Sequence, residues 1–196
     1  MEILLLGGSG LVGSELLRQL QADRTFTKII ALGRAELASP LPPGLYPETV
    51  MCCLGTTIND AGSQEAFREV DHHIPIRIAR EARRKGARHF VVVSAMGADP
   101  TSRIFYNRVK GEMEAELQAL GYPHVTILHP SLLLGDRKKP RTGEKIAATL
   151  MTLCKPLIPK KWQAVHVSQV AKAMVQAALH PGLESVRVIE NAEMVQ

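Results

Sequence analysis

MEILLLGGSGLVG, the stretch numbered 1–13, decides the fold of the chain. Residues 3–6 have the length and apolar character of a buried strand, and residues 11–21 repeat apolar side chains at helical spacing. The loop between them needs a tight turn, a close backbone approach to a pyrophosphate and close packing of helix on strand. These demands are met by three glycines, Gly7, Gly10 and Gly13. The stretch therefore predicts a strand–loop–helix unit whose N–H groups and helix dipole bind dinucleotide phosphates.

The rest of the chain continues the alternation of apolar runs and helical patterns. Strands are predicted at 28–32, 50–54, 90–93, 125–128 and 186–189, and helices at 63–85, 103–120 and 168–179. Pro75 should kink or divide its helix. Near-continuous apolar strands that alternate with helices are typical of a doubly wound parallel sheet covered on both faces. We predict an α/β Rossmann fold with three layers, α/β/α.

The length of 196 residues fits one domain. We predict a single NAD(P)-binding Rossmann domain over 1–196, in which residues 131–165 form a small C-terminal substrate or lid region. Residues 35–49 contain four prolines and no confident element, where a doubly wound half normally adds a helix and a strand. We therefore expect this part of the fold to be shortened to a loop.

Composition and motifs argue against several classes of function for this chain. Aromatic residues make up 4% of the chain and no nucleic-acid motif is present, so specific nucleic-acid binding is not expected. The three cysteines show no disulfide or metal-ligand spacing, and no metal is expected. The apolar run 3–6 is too short for a signal peptide, and no later run is long enough for a transmembrane segment. We expect a cytoplasmic protein.

The end of the second predicted strand bears on the choice of cofactor. A fold of the NAD type places an acid there, about 20 residues after the glycine loop, to bind the ribose 2′-hydroxyl. This chain has Gly33-Arg34 instead. The planar guanidinium of Arg34 could bind a 2′-phosphate, so we predict NADP(H) in preference to NAD(H); the alternative is a solvated charge at the end of the strand.

Tyr106 and Lys110 stand four residues apart on one face of the helix that follows the fourth strand. A lysine ammonium stabilises the phenolate of a neighbouring tyrosine, which can then act as a general acid in carbonyl reduction. Ser94 ends the preceding strand at the carboxyl edge of the sheet, where open α/β sheets bind ligands. Its hydroxyl could bind the substrate oxygen.

These motifs resemble those of an atypical short-chain dehydrogenase/reductase, in particular the Tat-interacting-protein-like oxidoreductase group and its bacterial relatives. The resemblance covers nearly the whole chain. It is carried by GGSGLVG at 7–13, CLGTT at 53–57, GSQEAFREVD at 62–71, VVVSAMGADP at 91–100, SRIFYNRVKGEMEAEL at 102–117 and HPSLLLGDR at 129–137.

The resemblance implies a role for each matching residue. Ser94, Tyr106 and Lys110 would be the catalytic serine, tyrosine and lysine. Arg34 would lie at the adenosine phosphate. Gly7, Gly10 and Gly13 would contact the pyrophosphate, with Ser9, Leu11 and Val12 completing the loop. Leu54, Gly55 and Thr56 would pass beneath the riboses, and His129, Pro130 and Ser131 would lie beside the nicotinamide carboxamide. Tyr106 and Lys110 would contact the cofactor as well.

Three features depart from the pattern of the group. In the group, the region that corresponds to residues 35–49 usually forms a wall of the adenine pocket, and in this chain it is shortened. Position 129 is histidine where the group commonly has arginine before the proline. Position 71 is aspartate where many relatives have an asparagine that holds a water near the lysine.

Other polar residues have simpler interpretations. His72 and His73 are adjacent on a helix and point about 100° apart, so we interpret them as solvated or core-edge residues rather than metal ligands. His166 is expected to position the late helix or line the substrate pocket. Residues 136–161 hold eight basic residues against two acidic ones. The basic segment 137–161 is interpreted as a solvated lid, a surface that steers anionic substrates, or a docking surface for a partner protein or an acidic membrane.

Two functions follow. The first is an NADPH-dependent oxidoreductase that reduces a carbonyl of a small molecule through Ser94, Tyr106 and Lys110. The alternative is an NADP(H)-sensing regulatory or protein-binding module with little catalysis, which the resemblance keeps open because the human branch is associated with regulatory protein interactions. A homodimer or a protein partner bound through 137–161 is a further expectation.

Overall fold

The computed structural model describes residues 1–33, 36–135 and 159–195. Six parallel strands form its main sheet in the order β2-β1-β3-β4-β5-β8. They are β1 Glu2–Leu6, β2 Lys28–Leu32, β3 Thr49–Cys52, β4 His89–Val93, β5 His124–His129 and β8 Val186–Glu190. Helices cover both faces of this sheet, so the predicted Rossmann fold is confirmed.

The four longer helices lie in pairs on the two faces of the sheet. One face is covered by α1 (Leu11–Ala22) and α6 (Val167–Leu179), and the other by α4 (Ile74–Arg84) and α5 (Phe105–Ala119). Side chains alternate across β1, so Ile3 packs toward α1 and α6 while Leu4 packs toward α4 and α5. Every residue from Ile3 to Leu6 is buried, as its apolar run predicts.

The remaining elements are short. The helices α2 (Ile58–Ala61), α3 (Gln64–Arg68) and α7 (Asn191–Met194) were not predicted as separate elements. A two-stranded parallel ribbon joins β6 (Leu133–Leu134) to β7 (Val165–His166). Single turns of 3₁₀ helix lie at Glu36–Ala38 and Lys160–Trp162.

The predicted 63–85 helix is interrupted near Pro75 by a change of helix type. The Ser63 hydroxyl caps α3 by accepting the Ala66 N–H at 3.0 Å, a five-residue π-helix follows at Glu69–His73, and Pro75 stands in the first turn of α4. Proline lacks the N–H of a regular helix and its ring crowds the preceding turn, so it is tolerated where a new helix starts. The wider π turn buries Asp71 and His72.

One boundary near the predicted site differs from the sequence prediction, and one predicted feature is found. The third strand was predicted at 50–54 but ends at Cys52, so Cys53 and Leu54 lie in the loop after it. Between β2 and β3 the described residues 36–48 hold one 3₁₀ turn and no strand, as the proline content predicts. Within the described chain β2 is therefore an edge strand.

The predicted lid region is anchored at both ends. Residues 136–158, with most of the basic segment, lie outside the described residues. On either side of them, Asn191 accepts the Ser131 N–H at 2.9 Å and donates to the carbonyls of Lys160 at 3.0 Å and Gln163 at 2.8 Å. Among the described helices, none is long and apolar enough to cross a membrane.

Candidate functional site

The carboxyl ends of four central strands meet at one edge of the sheet. Leu6 pairs with Cys52, Cys52 with Val92, and Val93 with Leu128, so β1, β3, β4 and β5 end at similar heights. The chain leaves β1 for β2 on one side and returns to β3 on the other. Open α/β sheets bind ligands in the crevice at such a reversal, which places the candidate site above β1 and β3.

The glycine loop is packed too tightly for side chains at two positions. Gly7 has φ +80°, and a Cβ there would lie 2.9 Å from the Cys53 carbonyl carbon and oxygen. A Cβ on Gly13 would lie only 2.1 Å from the Gly7 carbonyl oxygen. Gly10 is the N-cap of α1 and donates its N–H to the Gly7 carbonyl at 3.0 Å. The loop therefore wraps closely around the start of α1.

The start of α1 has the features of an anion site. Ser9 and Gly10 are exposed, no side chain within the described residues caps the helix, and its first turn carries no acid. Val12 is buried in the core, so its backbone N–H rather than its side chain is available to a ligand. N–H groups and the helix dipole at such an end favour phosphate, and the residues present fit a dinucleotide pyrophosphate.

The segment after β3 forms a wall of the candidate site next to the glycine loop. Leu54 is buried, whereas Gly55 lies above a charged pair: a Cβ on Gly55 would be 3.5 Å from Asp71 Oδ1 and 3.9 Å from Lys110 Nζ. The Thr56 N–H donates to Asp71 Oδ2 at 2.9 Å. The absence of a side chain at Gly55 thus leaves space beside the pair where the resemblance expects a ribose.

The charged pair is the most deeply buried ionic contact of the site. Lys110 Nζ lies 2.7 Å from Asp71 Oδ1, and the side chains are 4% and 0% exposed. Burial opposes the charge on Lys110, but the Asp71 carboxylate and the nearby Tyr106 together raise the pKa of the ammonium above its ordinary value. Aspartate at position 71, a departure from the group, therefore contacts the lysine directly and keeps it protonated.

Tyr106 and Ser94 share one pocket. Tyr106 lies one turn before Lys110 on α5, and its ring packs against Phe67 with centroids 5.5 Å apart. A cavity of about 240 Å³ is lined by Ser94, Tyr106 and residues 95, 96 and 130–133. The structure thus brings Ser94, Tyr106 and Lys110 to the same end of the sheet, with the lysine behind the pocket rather than in its lining.

A buried acid beside Ser94 was missed by sequence reasoning. The Ser94 hydroxyl donates to Glu114 Oε1, and His129 Nε2 lies 3.0 Å from the same oxygen. Glu114 follows Lys110 by four residues, so Tyr106, Lys110 and Glu114 lie on one face of α5. That spacing, on a face that also buries Met113 and Leu117, was the available signal.

The end of β5 and the residues after it make hydrogen bonds and ionic contacts to other side chains and to the backbone. Pro130 and Ser131 line the pocket, but the Ser131 N–H is bonded to Asn191 and its hydroxyl donates to the Gln163 carbonyl. The His129 ring lies between Glu114 and Glu190. The expected contacts of these three residues with the nicotinamide remain predictions.

Arg34, the residue on which the NADP(H) prediction depends, lies outside the described residues. Its neighbour Gly33 donates its N–H to Glu36 Oε2 at 2.6 Å. Glu36 was not considered in the sequence prediction, and it brings a carboxylate to the end of β2. Coenzyme choice can therefore depend on Glu36 as well as on Arg34.

The other histidines have structural contacts. His72 Nε2 lies 3.4 Å from Glu116 Oε2, and its ring meets His73 edge to face. His166 Nδ1 accepts the Ser168 N–H at 3.3 Å and caps α6, which agrees with a role in positioning that helix. The described part of the chain holds no cluster of three metal-ligating side chains.

Asp71→Ala is expected to destabilise the protein by about 3–5 kcal/mol, because the Lys110 ammonium would stay buried without its counter-charge. Urea unfolding at neutral pH measures this loss. Asp71→Leu combined with Lys110→Met should recover most of it, since no charge is then buried. Glu112→Ala is the control, because Glu112 forms a partly exposed pair with Arg68 at 2.6 Å. Equal unfolding midpoints for Asp71→Ala and Glu112→Ala would contradict the prediction.

The comparisons with known proteins agree with this architecture. The chain is 30% identical to protein HTATIP2 of Rattus norvegicus, over 96% of this chain and 86% of that protein. It is 31% identical to the mitochondrial protein FMP52 of Eremothecium gossypii, over 100% of this chain and 96% of that protein. No protein-family model matches.

This chain is also similar in fold to a solved structure. The RMD protein of Pseudomonas aeruginosa complexed with NADPH superposes with a TM-score of 0.71 at 18% identity, over 96% of this chain and 75% of that protein. The glycine loop, the parallel sheet and the identity to the two relatives over nearly the full chain lead to one conclusion. The chain belongs to the NAD(P)-binding atypical short-chain dehydrogenase/reductase family of HTATIP2 and FMP52.

Proposed function

We propose that the protein is an NADPH-dependent oxidoreductase that reduces a carbonyl of a small molecule. The observation that carries the proposal is the buried Lys110–Asp71 pair, 2.7 Å apart, one helical turn from a tyrosine that lines a pocket together with Ser94. A structural ion pair would not require a tyrosine and a serine to converge on a cavity at the carboxyl edge of the sheet. Perturbed charged groups in such clefts favour a catalytic role.

The glycine loop would hold the pyrophosphate, since Gly7 and Gly13 leave no room for side chains and the start of α1 presents N–H groups. Arg34 would bind the 2′-phosphate, and the space beside Gly55 would admit a ribose. When bound, the dinucleotide supplies a hydride to the carbonyl carbon.

The residues of the chain supply the proton. The Tyr106 hydroxyl would donate its proton to the carbonyl oxygen, and the Lys110 ammonium would stabilise the phenolate that remains. Asp71 keeps that ammonium charged and in place. Ser94, whose hydroxyl hydrogen is given to Glu114, would orient the substrate from the same pocket by accepting a hydrogen bond from it. Tyr106 then regains a proton from solvent, which completes the cycle.

One observation favours the alternative of an NADP(H)-sensing module. The cavity of about 240 Å³ is smaller than the ~300–1,000 Å³ common for small-molecule sites, and a sensor needs no substrate pocket. A homodimer or a protein partner bound through 137–161 stays a prediction. The cytoplasmic location is also a prediction, and the Eremothecium relative is named as a mitochondrial protein.

Arg34→Ala is expected to weaken NADPH binding by about tenfold or more, because a charge-assisted pair to the 2′-phosphate would be lost, while NADH binding stays the same. Nucleotide fluorescence titrations of wild type and variant measure both constants. Glu36→Gln, in the 3₁₀ turn that follows β2, is the matched variant, and it should weaken the binding of NADH rather than NADPH if the acid binds a ribose hydroxyl. Equal effects of Arg34→Ala on both nucleotides would contradict the NADPH preference.

Turnover decides between the two functions. The wild-type protein is mixed with NADPH and a panel of aldehydes, ketones and quinones, such as 4-nitrobenzaldehyde, cyclohexanone and menadione, and NADPH absorbance is followed. Oxidation above the rate without protein supports the reductase. Tight NADPH binding with no oxidation across the panel would favour the sensor.

A further inference from the structure

A chain of four polar side chains leads from the pocket to the surface. Ser94 donates to Glu114 Oε1, His129 Nε2 lies 3.0 Å from that oxygen, and His129 Nδ1 lies 3.3 Å from Glu190 Oε1. Ser94 and Glu114 are buried, whereas the Glu190 side chain is 58% exposed. The four residues come from different elements: the end of β4, the middle of α5, the end of β5 and the end of β8.

The first contact limits what Ser94 can do in the pocket. A serine hydroxyl has one hydrogen and two lone pairs. Because that hydrogen is given to the Glu114 carboxylate, the lone pairs of Ser94 are left for the pocket that it shares with Tyr106. If the Ser94 hydrogen turned toward a substrate instead, lone pairs of Ser94 and of the Glu114 carboxylate would face each other. In a buried place this repulsion costs free energy.

The second contact gives Glu114 a counter-charge that can be lost. The charged groups that face His129 in the described structure are Glu114 on α5 and Glu190 on β8. Burial opposes the charge on His129, but the hydrogen bonds and attraction of the two carboxylates outweigh it and raise the pKa of His129 above its ordinary value.

We propose that Glu114 and His129 are positioning residues of this site: Glu114 fixes the direction of the Ser94 hydroxyl, and the His129 cation balances the charge of Glu114. The inference rests on the proposed reductase function. When His129 is protonated, the pair is neutral beside the pocket. When His129 loses its proton, a buried negative charge stays uncompensated next to the oxygen on which negative charge develops during reduction. Reduction should therefore slow as the pH rises through the pKa of His129.

The contact itself is tested without turnover. The imidazole signals of His129, assigned by their loss in His129→Arg, are followed by NMR as a function of pH in wild type and Glu114→Gln. The wild-type pKa is expected above about 6.5, the ordinary value for histidine. In Glu114→Gln it should fall below the wild-type value, because burial remains while the main attraction is removed. Equal pKa values in the two proteins would overturn the inference.

The effect on the reaction is tested with the panel member that turns over fastest. In wild type, kcat/KM should decrease with rising pH along a limb centred on the pKa measured by NMR. His129→Arg should lose that limb and keep its rate to higher pH, because the guanidinium stays charged. His180→Arg is the control, since His180 is exposed at the end of α6, and it should keep the wild-type limb. A limb that persists unchanged in His129→Arg would overturn the inference while leaving the reductase proposal intact.

Positioning is separated from folding by two changes at one site. Glu114→Ala removes the acceptor for the Ser94 hydroxyl and should lower kcat by up to about a hundredfold, the cost of a misplaced group, with NADPH affinity unchanged. Glu114→Gln keeps an acceptor and should retain more of the rate than Glu114→Ala, without the pH limb. Equal losses in both, or a parallel loss of NADPH affinity, would overturn the positioning role. If wild type reduces no panel member, the reductase proposal fails, and the NMR comparison alone decides whether Glu114 sets the charge of His129.

Discussion

Tyr106→Phe is expected to lower kcat for carbonyl reduction by about 10²–10⁴-fold, the usual contribution of a positioned general acid. The substitution removes one oxygen and keeps the ring that packs against Phe67 at 5.5 Å, so the fold and the pocket wall should be preserved. Binding of NADPH should stay close to wild type, because the glycine loop is untouched. Stopped-flow or steady-state NADPH oxidation, together with a fluorescence titration, measures the two quantities separately.

Tyr46→Phe is the matched control for this loss. Tyr46 is 62% exposed, its ring centroid lies 5.4 Å from Lys85 Nζ, and it is not among the residues that line the pocket of Tyr106. It should turn over like wild type. If Tyr106→Phe also turns over like wild type, Tyr106 is not the proton donor, and the reaction must take its proton from another group or from water.

Gly13→Ala is expected to weaken NADPH binding by at least about tenfold and to cost about 1–3 kcal/mol of stability, as overpacked sites do. The added Cβ would lie 2.1 Å from the Gly7 carbonyl oxygen and 3.0 Å from Gly8 Cα. These are backbone atoms, so no side chain can turn aside to make room. The loop must move away from α1, and its N–H groups would then leave the positions in which they fit a pyrophosphate.

Gly44→Ala separates this local effect from a general loss of stability. Gly44 has φ +82° with nothing within 4 Å of the added carbon, so the alanine introduces backbone strain but no collision. It should lower the unfolding midpoint while NADPH binding remains at the wild-type value. Unchanged NADPH affinity in Gly13→Ala would show that the glycine loop does not hold the phosphates.

Much of the fold could be predicted because its signals are local. The apolar run at 3–6, the glycines that follow and the helical repeat from Leu11 are all read within one stretch, and each depends on backbone geometry or on one buried face. Pro75 likewise marks a break through its missing N–H. The shortened connection between β2 and β3 follows from the prolines of residues 35–49.

The contacts that define the candidate site could be predicted only in part, because they join residues far apart in sequence. Asp71 reaches Lys110 through a π turn that no local pattern indicates. Glu114 was missed although its spacing from Lys110 placed it on the buried face of α5. The end of β3 at Cys52 rather than Leu54 depends on how the glycine loop packs against Cys53, a tertiary contact that overrides the apolar pattern.

The Asn191 side chain fixes the two stretches of chain that flank residues 136–158. The β6–β7 ribbon and the three hydrogen bonds of the Asn191 side chain fix the chain on both sides of residues 136–158, whatever lies between. An exchange of residues 136–158 would therefore leave these anchoring contacts in place, together with the sheet and the glycine loop.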